Sequence, residues 1–149
     1  MTKSHIAVVA AAFCLFAMPA FALVQLDPGE WQDTETGTEN GQPPKTEVTT
    51  SCMTADDAHD PVKALTQLKD TAGQQCKTMN VKESGNVLSF DMECGDPKTM
   101  LISVTMSMTF LNARHYTGTV KSTVVFGGQK ITTDKQLDSK WIAAACKKQ

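Results

Sequence analysis

The clearest pattern in the chain is an alternation of apolar and polar residues in its second half. From Met100 to Phe110 every second residue is apolar, and most residues between them are Ser or Thr. This period predicts a β-strand with one face toward a core. Similar alternation continues over residues 116–126 and 131–137. The second half of the chain therefore predicts an antiparallel meander.

Two turn signals set the register between these strands. The loop at residues 112–114 and the pair Gly127-Gly128 each predict a tight hairpin. Both turns bring the apolar positions to the same face, which supports the assignment. The predicted pairs are Phe110 with Tyr116, Met106 with Val120, Ile102 with Val124, Met100 with Phe126, Ile131 with Val124, and Leu137 with Gly118.

An earlier hairpin is predicted between residues 76–83 and 86–94. Ser84-Gly85 is a two-residue turn signal. A loop of these two residues keeps the apolar positions of both strands on one face. The predicted pairs are Met79 with Phe90 and Val81 with Leu88.

The first half of the chain predicts two further strands and one helical segment. The Thr-rich run after Trp31 and residues 45–52 favour strands. Residues 54–75 favour a helix in two pieces, the first capped by Thr54 and the second begun by Asp60-Pro61. The fold class is therefore mainly β: an antiparallel meander of about seven strands, curled into an open barrel or bent sheet, with one helical segment.

The amino terminus predicts export. Residues 1–22 combine an early Lys3, an apolar run and a small-residue ending, which is the pattern of a signal peptide cleaved after Ala22. No other apolar stretch approaches the roughly 20 residues of a membrane span. Residues 23–149 are then one disulfide-bonded β domain, which we expect to be a periplasmic monomer.

Composition sharpens this assignment. Loss of residues 1–22 leaves 13 basic and 16 acidic residues, a formal charge of −3, so nothing favours a nucleic-acid partner. It also reduces five cysteines to four, and an even count in an exported chain indicates two disulfides with three possible pairings. Cys76 and Cys94 lie equally far from Gly85, which favours their pairing and leaves Cys52 with Cys146. A loop of Ser84-Gly85 alone would set Cys76 opposite Glu93, so this pairing requires a three-residue loop or a bulge.

Several motifs in the chain together resemble one family. They are Asp27-Pro28-Gly29-Glu30-Trp31, Cys52-Met53-Thr54-Ala55-Asp56-Asp57-Ala58, Ser84-Gly85-Asn86 between Cys76 and Cys94, and the ending Asp138-Ser139-Lys140-Trp141-Ile142 before Cys146. The family they resemble is a bacterial exported one, the domain of unknown function DUF3617. The resemblance covers nearly all of residues 23–149 and departs from the family where Ala143-Ala144-Ala145 replaces the usual Gly before the last Cys. It implies a mostly β periplasmic domain and no known activity.

No catalytic constellation is found in the sequence, so we expect a protein that is not an enzyme and carries no cofactor. His59 and His115 are the histidines after residue 22, and both positions favour surface residues. No metal site is predicted from carboxylates. Met106 and Met108 share one strand face, so copper(I) binding through thioether sulfur is a minor alternative to a role in the core.

Gly118 carries the ligand hypothesis. It falls on the apolar face opposite Met108, where a strand normally places a packing side chain, so it either bends the sheet or leaves room for a ligand. The main hypothesis is that a small apolar ligand or an envelope partner binds there, and the alternative is a structural or interaction module without a cavity. The predicted ligand-binding residues are Met106, Met108, Tyr116, Gly118 and Val120.

Overall fold

Seven antiparallel strands form one open sheet in the computed structural model, which describes residues 24–66 and 76–147. The mainly β fold class is thereby confirmed. The predicted signal peptide and the helical prediction for residues 67–75 lie outside the described residues. In chain order the elements are β1 (Gly29–Glu39), β2 (Lys45–Met53), α1 (Ala55–His59), α2 (Pro61–Thr66), β3 (Cys76–Ser84), β4 (Val87–Asp96), β5 (Met100–Asn112), β6 (His115–Phe126) and β7 (Gln129–Ala143).

The strand order is β2-β1-β7-β6-β5-β4-β3. Strands β3 to β7 form the predicted meander, in which each strand pairs with the next. The β1–β2 hairpin then pairs with β7, so the first strand of the domain lies beside the last. This long-range pairing makes β2 and β3 the two edges of the sheet.

The predicted register of β5, β6 and β7 is confirmed. Phe110 pairs with Tyr116 and Met100 with Phe126, while Ile131 pairs with Val124. The β5–β6 loop differs in detail, because Asn112 also pairs and an irregularity lies between it and Phe110. The bulge offsets the shorter loop, so the register further along both strands is unchanged.

The predicted register of the β3–β4 hairpin was wrong. Ser84 pairs with Val87, so the loop is Gly85 and Asn86 rather than Ser84 and Gly85. Gly85 has φ +60° and occupies the first loop position, as in a type II′ turn, where Ser84 would be strained. Met79 pairs with Asp91 and not with the predicted Phe90. Val81 does not face Leu88 as predicted, because it lies in the irregular stretch between Met79 and Lys82.

The helical prediction is confirmed for its described part. Thr54 caps α1 and accepts a hydrogen bond from the backbone N–H of Asp57 at 3.2 Å. Asp60 accepts from the backbone N–H of Lys63 at 2.9 Å, and Pro61 begins α2. Both caps supply acceptors to N–H groups that lack a helical partner.

One face of the sheet, which we call the core face, carries the core. It is the face of Trp31, Phe110 and Tyr116, and α1 and α2 contact it through Ala58, Val62 and Leu65. Aromatic side chains are in contact here, with ring centroids of Trp31 and Tyr116 5.3 Å apart. The buried cluster consists of Leu26, Trp31, Ala58, Leu88, Phe90, Met108, Phe110 and Tyr116.

The cysteines form two pairs at disulfide distance. Cys76 lies opposite Cys94 on β3 and β4, and Cys52 at the end of β2 joins Cys146 after β7. These are the pairs favoured from the sequence, and the bulge at residues 79–82 brings Cys76 into register. Two such pairs are compatible with an exported protein in an oxidising compartment. Among the described residues, no helix is long and apolar enough to span a membrane.

Candidate functional site

A group of apolar side chains on the core face remains partly exposed at the sheet end away from Trp31. Phe126 is 63% exposed and Ile131 39% exposed. We call the group the apolar tract. Strand alternation and the confirmed register place all its members on one face. The apolar tract consists of Met100, Ile102, Val124, Phe126 and Ile131.

In one row of paired residues that runs through the apolar tract, exposure is lowest at β4 and highest at β7. Cys94, Ile102, Val124 and Ile131 pair in succession from β4 to β7. Cys94 is 2% exposed, the next two are half-buried, and Ile131 is exposed. The core therefore continues into a surface that apolar side chains form over β5, β6 and β7.

The predicted ligand-binding residues fall into two groups. Met108 and Tyr116 belong to the buried cluster, at 2% and 9% exposure. Met106 and Val120 pair with each other and are half-buried on the same face as the apolar tract, from which the pair Val104 and Ser122 separates them. A Cβ at Gly118 would lie 3.5 Å from Met108 Cγ and 3.0 Å from Ser107 O, so Met108 fills the space over this glycine. Binding of a ligand by these five residues stays a prediction.

A cavity of about 230 Å³ lies on the same face beyond Ile131. Thr133 lines it and is the next residue of β7 on that face, one strand repeat from Ile131. Gly37 contributes no side chain, and a Cβ there would lie 2.6 Å from Lys135 Cγ. We call this the charged cavity. Its charged lining residues are Glu35, Glu39, Lys45, Glu47 and Lys135.

The charges in this cavity are only partly paired. Lys135 Nζ donates to the carboxylate of Glu35 across β7 and β1. Lys45, Glu39 and Glu47 form no ion pair within residues 24–66 and 76–147. The cavity therefore offers one ammonium and two carboxylates to a ligand, beside the apolar tract.

The middle of the opposite face of the sheet is polar, although exposed apolar side chains such as Val48 and Val125 also lie on this face. A shallow groove of about 410 Å³ crosses it and is lined mainly by Thr and Ser side chains, with Gln136 and Asp138. His115 Nε2 lies 3.1 Å from Asp138 Oδ1 at its border. Burial acts to raise the pKa of Asp138, but the ammonium of Lys140 and the nearby His115 outweigh it and lower the pKa. The backbone of Gly118 also lines this groove, although its missing side chain would point to the core face.

A polar chain crosses the buried part of the core face. Ser139 is fully buried and donates to the carboxylate of Asp33, which also accepts from Ser51 Oγ at 2.7 Å. The side chain of Tyr116 hydrogen-bonds to Ser139, and burial raises the pKa of this tyrosine. Such a chain satisfies polar groups that would otherwise be costly in a core.

A group of hydrogen bonds and one ion pair, which the sequence did not predict, holds the start of the domain against β7 and the β5–β6 loop. Trp31 Nε1 donates to the carbonyl of Asp27 and Trp141 Nε1 to the carbonyl of Pro28, both at 3.0 Å. The Asp27 carboxylate pairs with Arg114, whose Cζ lies 4.3 Å from the ring centroid of Trp141. We call this the amino-terminal clamp. In the sequence, the Pro-Gly-x-Trp motif was the signal for this clamp. The clamp gives the motif a structural role, because Pro28 and Trp31 both form its hydrogen bonds.

The described residues contain no group of three or more His, Cys, Asp and Glu side chains that could hold a metal ion. Met106 and Met108 share the core face, as expected, and Met108 lies within the buried cluster. The thioether alternative therefore stays a hypothesis whose test is a binding measurement.

Comparison with known proteins gives one result. A family model described as a protein of unknown function, DUF3617, matches residues 26–146. No curated protein and no solved structure matches the chain.

Proposed function

The chain belongs to the DUF3617 family, whose description names no function, and from the geometry we propose that it is a non-enzymatic binding protein of the periplasm. Its ligand is a small apolar molecule that lies on the apolar tract. The observation that carries this proposal is the exposure of Phe126 and Ile131 on the same face that forms the core. The expected signal peptide and the two disulfide-distance cysteine pairs support the compartment.

Burial of apolar surface supplies the driving force. Covering a fully exposed Ile or Phe side chain contributes roughly 1.5–3 kcal/mol. Phe126 and Ile131 retain part of this free energy because they remain exposed, whereas Ile102 and Val124 retain less. A ligand that covers the apolar tract gains from several side chains at once. Met106 and Val120 extend the contact toward the core.

Two adjacent residues of β6 provide a matched test, because Val124 lies on the core face and Val125 on the opposite face. The mature protein is titrated with the apolar fluorescent probe N-phenylnaphthylamine. We expect the wild type to bind the probe and Val124→Ser to weaken binding by about tenfold, since apolar contacts are lost. Val125→Ser carries the same loss of β-propensity and should bind like wild type. Equal binding by all three proteins, or no binding by the wild type, contradicts the site.

A second candidate function is an interaction module that takes an extended segment of an envelope partner. Strand β2 supports it, because its residues from Lys45 to Cys52 are all exposed and its pairing with β1 is regular. The other edge, β3, carries a register shift between Met79 and Lys82 that interrupts pairing. Regular free edges are sites of strand addition. A photo-reactive side chain at Val48 should then cross-link a partner in cells, and one at Val81 should not.

A further inference from the structure

We infer that the ligand of the apolar tract is a zwitterionic amphiphile, whose apolar chain covers the tract and whose head group, a phosphate with a primary ammonium, lies in the charged cavity. This inference rests on the proposed function, because it needs the apolar tract to be a binding surface. It adds the cavity, which an apolar molecule alone does not use. The two surfaces belong to one face of the sheet.

Continuity between the two surfaces is the first argument. Ile131 belongs to the apolar tract, and Thr133, the next residue of β7 on that face, lines the charged cavity. Neighbouring residues on one strand face are roughly 7 Å apart. From Ile131 the apolar row crosses Val124 and Ile102, a distance of roughly 10 Å at the usual strand spacing. A molecule with a polar end and an extended apolar chain matches this order of surfaces.

The signs of the charges are the second argument. Of the two lysines that line the charged cavity, Lys135 is paired with Glu35, and Lys45 forms no ion pair with another described residue. The carboxylates of Glu39 and Glu47, which also line it, likewise form none there. A phosphate accepts hydrogen bonds from an ammonium, and a primary ammonium donates to carboxylates. An anionic head group would meet both carboxylates, and a purely cationic one would meet Lys45. A head group with both charges satisfies all three side chains.

The shape of the cavity is the third argument. Lys135 is held against Glu35, so its ammonium is already paired. The stem of Lys135 lies over Gly37, where a Cβ would come within 2.6 Å of its Cγ. The absence of a side chain at Gly37 therefore lets Lys135 lie flat. The space left open is bordered by Thr133 on one strand and by Lys45 and Glu47 on the other.

The test compares three single-chain amphiphiles of equal chain length, all below their micelle concentrations. Binding of lysophosphatidylethanolamine, lysophosphatidylglycerol and the free fatty acid is measured on the mature protein by calorimetry. We expect lysophosphatidylethanolamine to bind about tenfold more tightly than the other two amphiphiles. Of the three head groups, only this one has an ammonium that can donate charged hydrogen bonds to the carboxylates of Glu39 and Glu47. Equal affinities for all three, with N-phenylnaphthylamine still bound, overturn this inference and leave the apolar site standing. Failure of every amphiphile and of the probe overturns the proposed function as well.

Variants localise the head group. Lys45→Gln with Glu47→Gln should abolish the preference for lysophosphatidylethanolamine while probe binding is unchanged. The matched control neutralises Lys82 and Glu83 on β3, the other edge, and should keep the preference. Glycerophosphoethanolamine, a head group without a chain, should not compete. Competition by this molecule at the affinity of the full amphiphile, or loss of preference in the control alone, would overturn the inference.

Discussion

Replacing Gly29 with Ala tests the amino-terminal clamp through backbone geometry. Gly29 has φ +134°, and a Cβ there would lie 2.2 Å from the carbonyl oxygen of Ala143 and 3.0 Å from Ala144 Cα. Such a backbone conformation costs an Ala on the order of 1–3 kcal/mol. Relief of the overlap with a neighbouring strand costs about 1–3 kcal/mol more. The expected loss of unfolding free energy is therefore about 2–6 kcal/mol, a large share of the roughly 5–15 kcal/mol of a typical domain.

The matched control is Gly41→Ala. Gly41 also has a positive φ, +72°, but nothing lies within 4 Å of its added Cβ, so only the backbone cost of about 1–2 kcal/mol applies. Urea unfolding of the oxidised proteins, followed by the fluorescence of Trp31 and Trp141, gives both free energies. If Gly29→Ala costs no more than Gly41→Ala, the close approach of β1 to Ala143 is wrong. The structural explanation of the Pro-Gly-x-Trp motif would then be lost.

Three further predictions concern titration and metal binding. Tyr116 is the single tyrosine of the chain, and burial raises its pKa above the usual 10.0. Its near-ultraviolet absorbance should therefore titrate above pH 10.0 in the native protein, and the free energy of unfolding should fall as pH rises through the native pKa. Titration at the value of a free tyrosine contradicts its burial. The pKa of Asp138 is lowered, so this carboxylate contributes stability above pH 3.8 that is lost as pH falls through the native pKa. Asp138→Asn should therefore make the free energy of unfolding in urea depend less on pH in the acid range. An unchanged pH dependence contradicts the pairing with Lys140. Met106→Leu with Met108→Leu should leave copper(I) affinity unchanged in a competition assay, whereas a large loss supports the thioether alternative.

Local signals in the sequence were sufficient for much of the sheet. The register of β5, β6 and β7 followed from Gly127-Gly128 and from apolar alternation, because turn and pattern agreed there. The β3–β4 hairpin failed for a local reason. A two-residue loop with Gly85 in either position fits the apolar pattern almost equally well, and the positive φ of its first residue decided for Gly85 and Asn86.

The charged cavity could not be predicted because its walls come from distant parts of the chain. It forms where β1 pairs with β7, and a sequence pattern alone does not specify which strands become neighbours at long range. The clamp has the same origin, since Asp27 and Arg114 meet only after β7 has returned beside β1. The predicted ligand residues lie on the core face, as the apolar alternation indicated. Burial of Met108 and Tyr116 depended on the position of α1 and α2.

Native mass spectrometry of the mature protein isolated from the periplasm, the compartment that we propose for it, tests the central claim most directly. The wild type should carry a small apolar or amphiphilic molecule, seen as a discrete mass above that of the oxidised chain. Val124→Ser should lose most of this adduct, while Val125→Ser, on the opposite face of the same strand, should retain it. Bare protein in all three samples, together with no binding of an apolar probe, would contradict a ligand site on the apolar tract.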